Sequence, residues 1–202
     1  MDLDPEMTDL ALEHPELTRI NENAMHNEKV TIHNEDAYNF LLEDESFYDA
    51  ILVDLPDPNN EGLNKLYTDG FYKLVRNHLN PGGFVSIQST SPLFAREAYW
   101  TISETVQSTG MHVDNYHLDI PSFGNWGFTL ASREAFTSEQ IEQIQLSVET
   151  AYLDEAIIPS LFAFGKDEDA MLFENGKQVD WQVNTMNRPV LLDLYNKAWK
   201  YY

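Results

Sequence analysis

One short segment does most to limit the folds open to this chain. The apolar run from Tyr48 to Val53 ends in a turn that contains Asp54, Pro56, Asp57 and Pro58. An apolar run of this length, closed by an acidic turn that proline interrupts, predicts a buried parallel strand with a ligand site at its carboxyl end. Two carboxylates three positions apart at a strand end suit a cationic amine.

The charge balance argues against one large class of partner. Acidic side chains number 34 against 12 basic ones, and the formal net charge is -22. Binding to a phosphate backbone requires clusters of Lys and Arg that replace condensed counterions, so nucleic acid is not an expected partner. The acidity has two explanations that the sequence leaves open: solubility in a salt-rich cytoplasm, and local attraction of a polycation.

Cysteine and histidine usage argues against thiol and metal chemistry. Cysteine is absent, which excludes disulfides and cysteine nucleophiles, and the six histidines show no pair at helical ligand spacing. We therefore expect no metal. The longest apolar runs are far shorter than the ~18 residues that span a membrane, and the first residues do not resemble a signal peptide. The expectation is a cytoplasmic chain with one core and no membrane contact.

Hydrophobic periodicity and capping signals predict alternating helices and strands. Helices are expected over 5–14, 37–42, 67–78, 99–110 and 189–202. A further helix is expected to follow a capping box at 137–140, with a buried stripe at 141, 144 and 148. Strands are expected over 30–32, 48–53, 84–88, 111–118 and 127–131. This alternation is typical of an α/β fold with a mostly parallel sheet.

Acidic residues recur where the chain leaves three successive predicted elements. These are Asp2, Asp36, and Asp54 with Asp57. Ligands of an open α/β sheet lie outside the carboxyl ends of its strands, where an acid commonly binds ribose hydroxyls. The pattern predicts a nucleoside site beside a reaction site. The alternative, that Asp simply favours turns, remains open for each residue taken singly.

Several short motifs resemble those of the spermidine synthases, or polyamine aminopropyltransferases. The resemblance runs from about residue 2 to residue 161 and is most specific at Asn34 to Ala37, Asp54 to Pro58, Leu66 to Tyr72, Gln88, Ile120 to Pro121 and Trp126 to Phe128. It implies an α/β, class I methyltransferase-like (Rossmann-like) fold. It also implies transfer of an aminopropyl group from decarboxylated S-adenosylmethionine to putrescine, which gives spermidine and methylthioadenosine.

The resemblance also implies roles for particular residues. On the nucleoside side, Asp2 would bind the ribose hydroxyls and Asp36, with Ala37 beside it, the adenine amino group. Decarboxylated S-adenosylmethionine would be a co-substrate, with no tightly bound cofactor.

On the amine side, Asp54 would contact the attacking amine and Asp57 would hold the diamine, while Gln88, Tyr67 and Trp126 would line the acceptor channel. Core packing explains the two aromatic residues equally well. Gln88, at the end of a predicted strand, is better placed for function than for packing.

The chemistry of amine alkylation independently requires a base. An alkylammonium has no lone pair, and with a pKa of ~10.4 its neutralisation at pH 7 costs roughly 4 to 5 kcal/mol. A carboxylate within hydrogen-bond reach of the nitrogen can accept the proton, and Asp54 is the candidate.

The chain departs from the family pattern at its beginning. It starts near the end of the family's second strand, and none of its nine glycines forms a glycine-rich nucleotide loop. The expectation is an N-terminally truncated methyltransferase-like domain over 1–134 and a C-terminal helical extension over 135–202. Such a chain is expected to bind nucleoside poorly, to turn over slowly if at all, and to form a homodimer through exposed sheet edges. Longer family members often carry membrane segments, so a longer parent could be anchored in a membrane.

Two rival functions stay open. Residues 54–57 loosely resemble the Asp-Pro-Pro-Tyr type motif of amino-methyltransferases, which favours an S-adenosylmethionine-dependent methyltransferase. The second rival is a non-catalytic acidic domain that binds polyamines or a partner chain.

Overall fold

The chain forms two compact units. The computed structural model describes residues 1–174 and 176–201, and the units comprise residues 1–45 and 46–202. The predicted division into 1–134 and 135–202 stays a prediction. Among the described residues, no helix is both long and apolar enough to cross a lipid bilayer.

Helices dominate the first unit. They are α1 (Pro5–Glu13), α2 (Pro15–Ile20) and α3 (Ala37–Glu43), with a 3-10 turn at Ala24–His26. The helix predicted over 5–14 is confirmed, and it begins as its sequence indicates: the Asp4 side chain accepts a hydrogen bond from the backbone of Glu6, and proline occupies the first turn.

The strand predicted over 30–32 is wrong. In its place the described chain has a single parallel bridge between Asp2 and Asn34, supported by a 3.0 Å hydrogen bond from the Asp2 N–H to the His33 carbonyl. A strand needs a neighbour along its whole length to satisfy its backbone groups, and one bridge does not provide that. The helix at 37–42 is confirmed and buries Leu41, whereas Phe40 is only half-buried.

A mixed four-stranded sheet organises the second unit. Its strands are β1 (Tyr48–Val53), β2 (Leu79–Gln88), β3 (His112–Ile120) and β4 (Gly124–Ser132), in the order β1-β2-β4-β3. β1 and β2 form the one parallel pair of this sheet, whereas β4 pairs antiparallel with both β2 and β3, so the expectation of mostly parallel pairing is wrong. The β3–β4 pair is antiparallel because a connection as short as residues 121–123 can join only antiparallel strands. The return strand β4 then inserts between β2 and β3.

The strand predicted over 48–53 is confirmed, but it is not buried. It lies at an edge of the sheet, and Leu52 is 76% exposed. In the parallel pairing of β1 with β2, Val53 lies beside Ile87. Asp54, which follows β1, and Gln88, which ends β2, are therefore at the same end of the two strands. That register brings the acidic turn and the end of β2 together.

The core of the second unit lies between the sheet and its helices. These are α4 (Glu61–Asn64), a 3-10 turn at Lys65–Tyr67, α5 (Asp69–Asn77) and α6 (Arg96–Gln107). Side chains that are fully or almost fully buried include Phe71, Tyr72, Val75, Val85, Ile87, Tyr99, Ile102 and Val106. The amphipathic helices predicted over 67–78 and 99–110 are thereby confirmed, although the second one begins earlier and ends at Gln107.

Residues 80–83 belong to β2. Gly82 has a φ of 77°, and a Cβ on Gly83 would lie 2.9 Å from the Tyr48 carbonyl oxygen. Glycine is therefore needed where β2 passes close to the start of β1.

The capping box predicted at Thr137 is present, with Gln140 as its partner, but the helix behind it is short. It is α7 (Ser138–Glu142), and the predicted buried stripe is wrong because Ile144 and Val148 are exposed. A capping box satisfies the first backbone donors, whereas a longer helix depends on packing of its apolar face.

The C-terminal residues add small elements to the second unit. They include a 3-10 turn at Ile158–Phe162, the hairpin strands β5 (Phe173–Glu174) and β6 (Lys177–Gln178), and α8 (Leu191–Ala198), which continues as a 3-10 turn over Trp199–Tyr201. The last predicted helix is confirmed over this range, and Tyr202 lies outside the described residues.

One buried tyrosine gives a test of this packing. The Tyr72 side chain is fully buried, and its hydroxyl has no hydrogen-bond partner among the described residues. Burial accordingly raises the pKa of Tyr72. We expect Tyr72→Phe to increase the free energy of unfolding by about 1 kcal/mol in urea denaturation, because it removes an unsatisfied buried group.

Tyr67 is the matched control for that experiment. It is as deeply buried as Tyr72, but its hydroxyl donates to the Pro56 carbonyl at 2.9 Å. We expect Tyr67→Phe to lower stability by about 1 kcal/mol. Destabilisation of similar size in both variants would contradict this account.

Candidate functional site

A cavity of about 730 Å³ lies outside the carboxyl ends of β1 and β2. Its walls come from the end of β1 and the turn after it, from the three other sheet strands, from the β3–β4 turn and from α8. The lining residues are Leu52, Val53, Asp54, Leu55, Pro56, Asp57, Asn59, Ser86, Gln88, Tyr116, Ile120, Phe123, Trp126, Phe128 and Tyr195. The position is the one at which open α/β sheets bind ligands.

The carboxylate of Asp57 is held from two sides. The Gln88 Nε2 donates to its Oδ1 at 2.9 Å, and the Tyr195 hydroxyl donates to its Oδ2 at 2.7 Å. An ionised carboxylate only accepts hydrogen bonds, so the amide nitrogen of Gln88 must face it. Both donors are neutral side chains, and together they fix the orientation of the Asp57 carboxylate.

The Tyr195 hydroxyl is a hydrogen-bond donor whose pKa is raised. Burial, the hydrogen bond to Asp57 and the negative charge of Asp57 all raise the pKa of Tyr195. Its hydroxyl consequently stays protonated at neutral pH and continues to donate to the carboxylate.

Asp54 and Tyr67 occupy opposite sides of the acidic turn. Asp54 directly follows β1, is exposed and faces the cavity. Tyr67 is 1% exposed and does not line the cavity; its hydroxyl fixes the Pro56 carbonyl from behind. Burial, followed by the charges of neighbours that include Asp57 and Asp54, raises the pKa of Tyr67.

Aromatic side chains form the apolar wall of the cavity. Phe123 and Trp126 have ring centroids 5.2 Å apart, and Tyr116 stacks on Phe128 at 5.0 Å with an angle of 11° between the rings. The Tyr116 hydroxyl and the Ser86 Oγ are 2.9 Å apart. An apolar wall beside two carboxylates matches a molecule with a hydrocarbon chain and cationic ends.

Three of the residues predicted for the site lie in the first unit. Asp2 accepts a hydrogen bond from the Asp4 N–H at 2.8 Å, and Asp36 accepts from the N–H groups of Tyr38 and Asn39 as the N-cap of α3, of which Ala37 is the first residue. Asp2 pairs with Asn34, which precedes Asp36 by two residues.

Four predicted site residues share the cavity in the second unit: Asp54, Asp57, Gln88 and Trp126. Their roles, and those of the remaining predicted residues, stay predictions.

Sequence reasoning missed Ser86, Tyr116 and Tyr195. Ser86 had a readable signal, because it precedes Gln88 by two positions on one strand and thus shares its face. Tyr195 had none, since its spacing from Leu191 and Leu194 is that of an ordinary packing stripe. Among the described residues, no group of three or more His, Cys, Asp or Glu side chains is placed to hold a metal ion.

Comparison of the structure with solved structures identifies the fold. The crystal structure of spermidine synthase from Thermotoga maritima superposes with a TM-score of 0.65 at 18% identity, over 81% of this chain and 56% of that one. A spermidine synthase in complex with the transition state analogue AdoDATO matches with the same TM-score at 19% identity. The predicted α/β, methyltransferase-like fold is confirmed.

Sequence comparison gives the family. The family model described as the spermine/spermidine synthase domain matches residues 1–142, and the chain belongs to this family. The polyamine aminopropyltransferase of Oceanobacillus iheyensis is 50% identical over 202 residues, all of this chain and 38% of that protein. A polyamine aminopropyltransferase of Leptospira interrogans is 34% identical over 98% of this chain and 38% of its own length. The chain thus spans little more than a third of the length of these relatives.

Proposed function

We propose that this chain carries an aminopropyltransferase site, and that the cavity beside Asp57 is the amine-acceptor half of that site. The observation that carries the proposal is the Asp57 carboxylate, fixed by Gln88 and Tyr195 in the same cavity as Asp54. In the proposed reaction the primary amine of putrescine attacks the carbon bound to the sulfonium of decarboxylated S-adenosylmethionine. A carbon–nitrogen bond forms, the carbon–sulfur bond breaks, and spermidine and methylthioadenosine are released.

The two carboxylates have different tasks in this proposal. Asp57 is held by neutral donors and binds the distal ammonium of the diamine, while the aromatic wall contacts its methylene groups. Asp54, at the open end of the turn, accepts the proton that the attacking nitrogen must lose.

Positioning supplies a large part of the expected acceleration. An in-line displacement requires nitrogen, carbon and sulfur to be aligned, and a diamine anchored at its far end presents its near nitrogen in a limited range of directions. No covalent intermediate is needed. Asp2, Asp36 and Ala37 are proposed to bind the nucleoside co-substrate, which the motifs at 34–37 support.

Self-association and location remain proposals. The exposed edge of β1 supports a homodimer formed through sheet edges, because an unpaired strand edge is a template for another strand. A cytoplasmic location stays a prediction from the sequence.

Calorimetric titration of the purified chain with putrescine tests the acceptor site. We expect Asp57→Asn to weaken putrescine binding by about 10- to 100-fold, because the ammonium loses its charged hydrogen-bond partner. The control is Asp49→Asn at the opposite end of β1, where the carboxylate contacts Asn80 at 2.8 Å and does not line the cavity.

A second assay separates the enzyme from its rivals. Incubation with decarboxylated S-adenosylmethionine and putrescine should give spermidine and methylthioadenosine in equal amounts. Amine binding without either product would favour the polyamine-binding alternative, and transfer of a methyl group from S-adenosylmethionine would favour a methyltransferase. Absence of putrescine binding would contradict the proposed site itself.

A further inference from the structure

The cavity is completed by a part of the chain that lies beyond the region matched by the family model. The matched region ends at residue 142, whereas Tyr195, which donates to Asp57, lies on α8. Residues 57 and 195 are 138 positions apart. The contact therefore depends on the packing of α8 and the residues before it against the four-stranded sheet and its helices.

A buried asparagine fixes the start of α8. Asn184 is 0% exposed, and its Nδ2 donates to the Asn64 Oδ1 at 3.0 Å and to the Tyr67 carbonyl at 2.9 Å. Its Oδ1 accepts from the Leu191 N–H at 3.2 Å, and its own N–H donates to the Thr105 Oγ1 at 2.9 Å. Both N–H donors and the carbonyl oxygen of the Asn184 side chain have partners, which locates the first residue of α8 relative to the turn that carries Tyr67.

The far end of α8 packs against the aromatic wall. The rings of Tyr195 and Trp199 are 6.0 Å apart, and those of Trp199 and Trp126 are 6.3 Å apart. Leu191, at the first position of α8, is fully buried. The orientation of Tyr195 is thus determined at both ends of its helix, as a precise contact to a carboxylate requires.

We propose that Tyr195 is a positioning residue for the acceptor amine, and that it acts by holding the Oδ2 of Asp57. The inference rests on the proposed function and extends it, because it makes residues 184–199 part of the amine site. Gln88 holds one oxygen of the carboxylate and Tyr195 holds the other, so that the group cannot rotate about its bond to Cβ. An ammonium then meets acceptor lone pairs in a single arrangement.

The hydroxyl is the part of Tyr195 that matters in this inference. Tyr195→Phe keeps the ring and its packing on Trp199, but leaves Asp57 with Gln88 as its remaining side-chain donor among the described contacts. We expect the dissociation constant for putrescine to rise about tenfold. Tyr152→Phe is the matched control, because Tyr152 is an exposed tyrosine that does not line the cavity, and putrescine affinity should be unchanged.

A double-mutant cycle tests whether Tyr195 acts through Asp57. Putrescine binding is measured by calorimetry for the unmodified chain, Tyr195→Phe, Asp57→Asn and the double variant, with circular dichroism and thermal unfolding as checks of folding. The expected result is a tenfold loss from Tyr195→Phe in the unmodified background and no further loss in the Asp57→Asn background.

Each other outcome has a defined meaning. An equal loss in both backgrounds would overturn the inference, because a structural role of Tyr195 would not depend on the carboxylate. Unchanged affinity in Tyr195→Phe, with Asp57→Asn impaired, would overturn the inference and leave the proposed function in place. If the unmodified chain binds no putrescine, both the function and the inference are overturned.

Discussion

Asp54→Asn is expected to lower the rate of aminopropyl transfer by about 10²- to 10⁴-fold, the range typical for removal of a positioned general base. Asparagine preserves the size of the side chain but cannot take a proton from the attacking nitrogen. At neutral pH the uncatalysed loss of that proton costs roughly 4 to 5 kcal/mol, and the variant has no carboxylate at this position to receive it. The rate is measured as formation of methylthioadenosine with saturating decarboxylated S-adenosylmethionine and putrescine.

Binding measurements distinguish a base from an anchor. Since Asp57 is proposed to hold the distal ammonium, we expect Asp54→Asn to change putrescine affinity by less than threefold, roughly the effect of a minor electrostatic contact. Asp49→Asn, on the same strand but outside the cavity, should retain full activity. Retention of normal transfer by Asp54→Asn would contradict the assignment of the base. A large loss of putrescine affinity in that variant would assign Asp54 to anchoring instead.

The part of the site that the sequence predicts is the part that depends on local rules. Asp54 and Asp57 follow a strand that is readable from its apolar run, and Gln88 ends another such run. Parallel pairing of these two strands is enough to bring their carboxyl ends together. The hydrogen bond from Gln88 to Asp57 is a direct consequence of that register.

The features that the sequence does not predict depend on long-range packing. The apolar composition of β1 predicts a buried strand, but an edge strand and a central strand can have the same apolar residues. The neighbouring strands decide between the two positions, and β1 lies at the edge. The stripe at 141, 144 and 148 fits a helix, yet nothing in its period reveals whether a surface exists for it to cover. Tyr195 reaches Asp57 only after α8 has docked, a relation that no local pattern contains.

Asn184→Asp is expected to destabilise the protein strongly, because it disrupts the contacts that hold α8 in place. The substitution places a carboxylate oxygen where Nδ2 now donates to the Asn64 Oδ1 and the Tyr67 carbonyl. Two buried donated hydrogen bonds become contacts between acceptors, and the group is fully buried, so ionisation is also unfavourable. We expect the free energy of unfolding to fall by about 3 kcal/mol or more in urea, which corresponds to a decrease in Tm of roughly 6 to 12 °C for a domain of this size.

Asn196→Asp is the matched control, because Asn196 is exposed on α8 and the same change of side chain there should cost less than about 1 kcal/mol. The two variants differ in more than stability. Asn184→Asp should also weaken putrescine binding at temperatures where the sheet unit remains folded, since a displaced α8 withdraws Tyr195 from Asp57. Equal unfolding midpoints for the two variants would show that the contacts of Asn184 do not hold the C-terminal segment. A destabilised Asn184→Asp with unaltered putrescine affinity would show that the segment is held for stability alone, because the amine site would then function without the position of α8 being fixed.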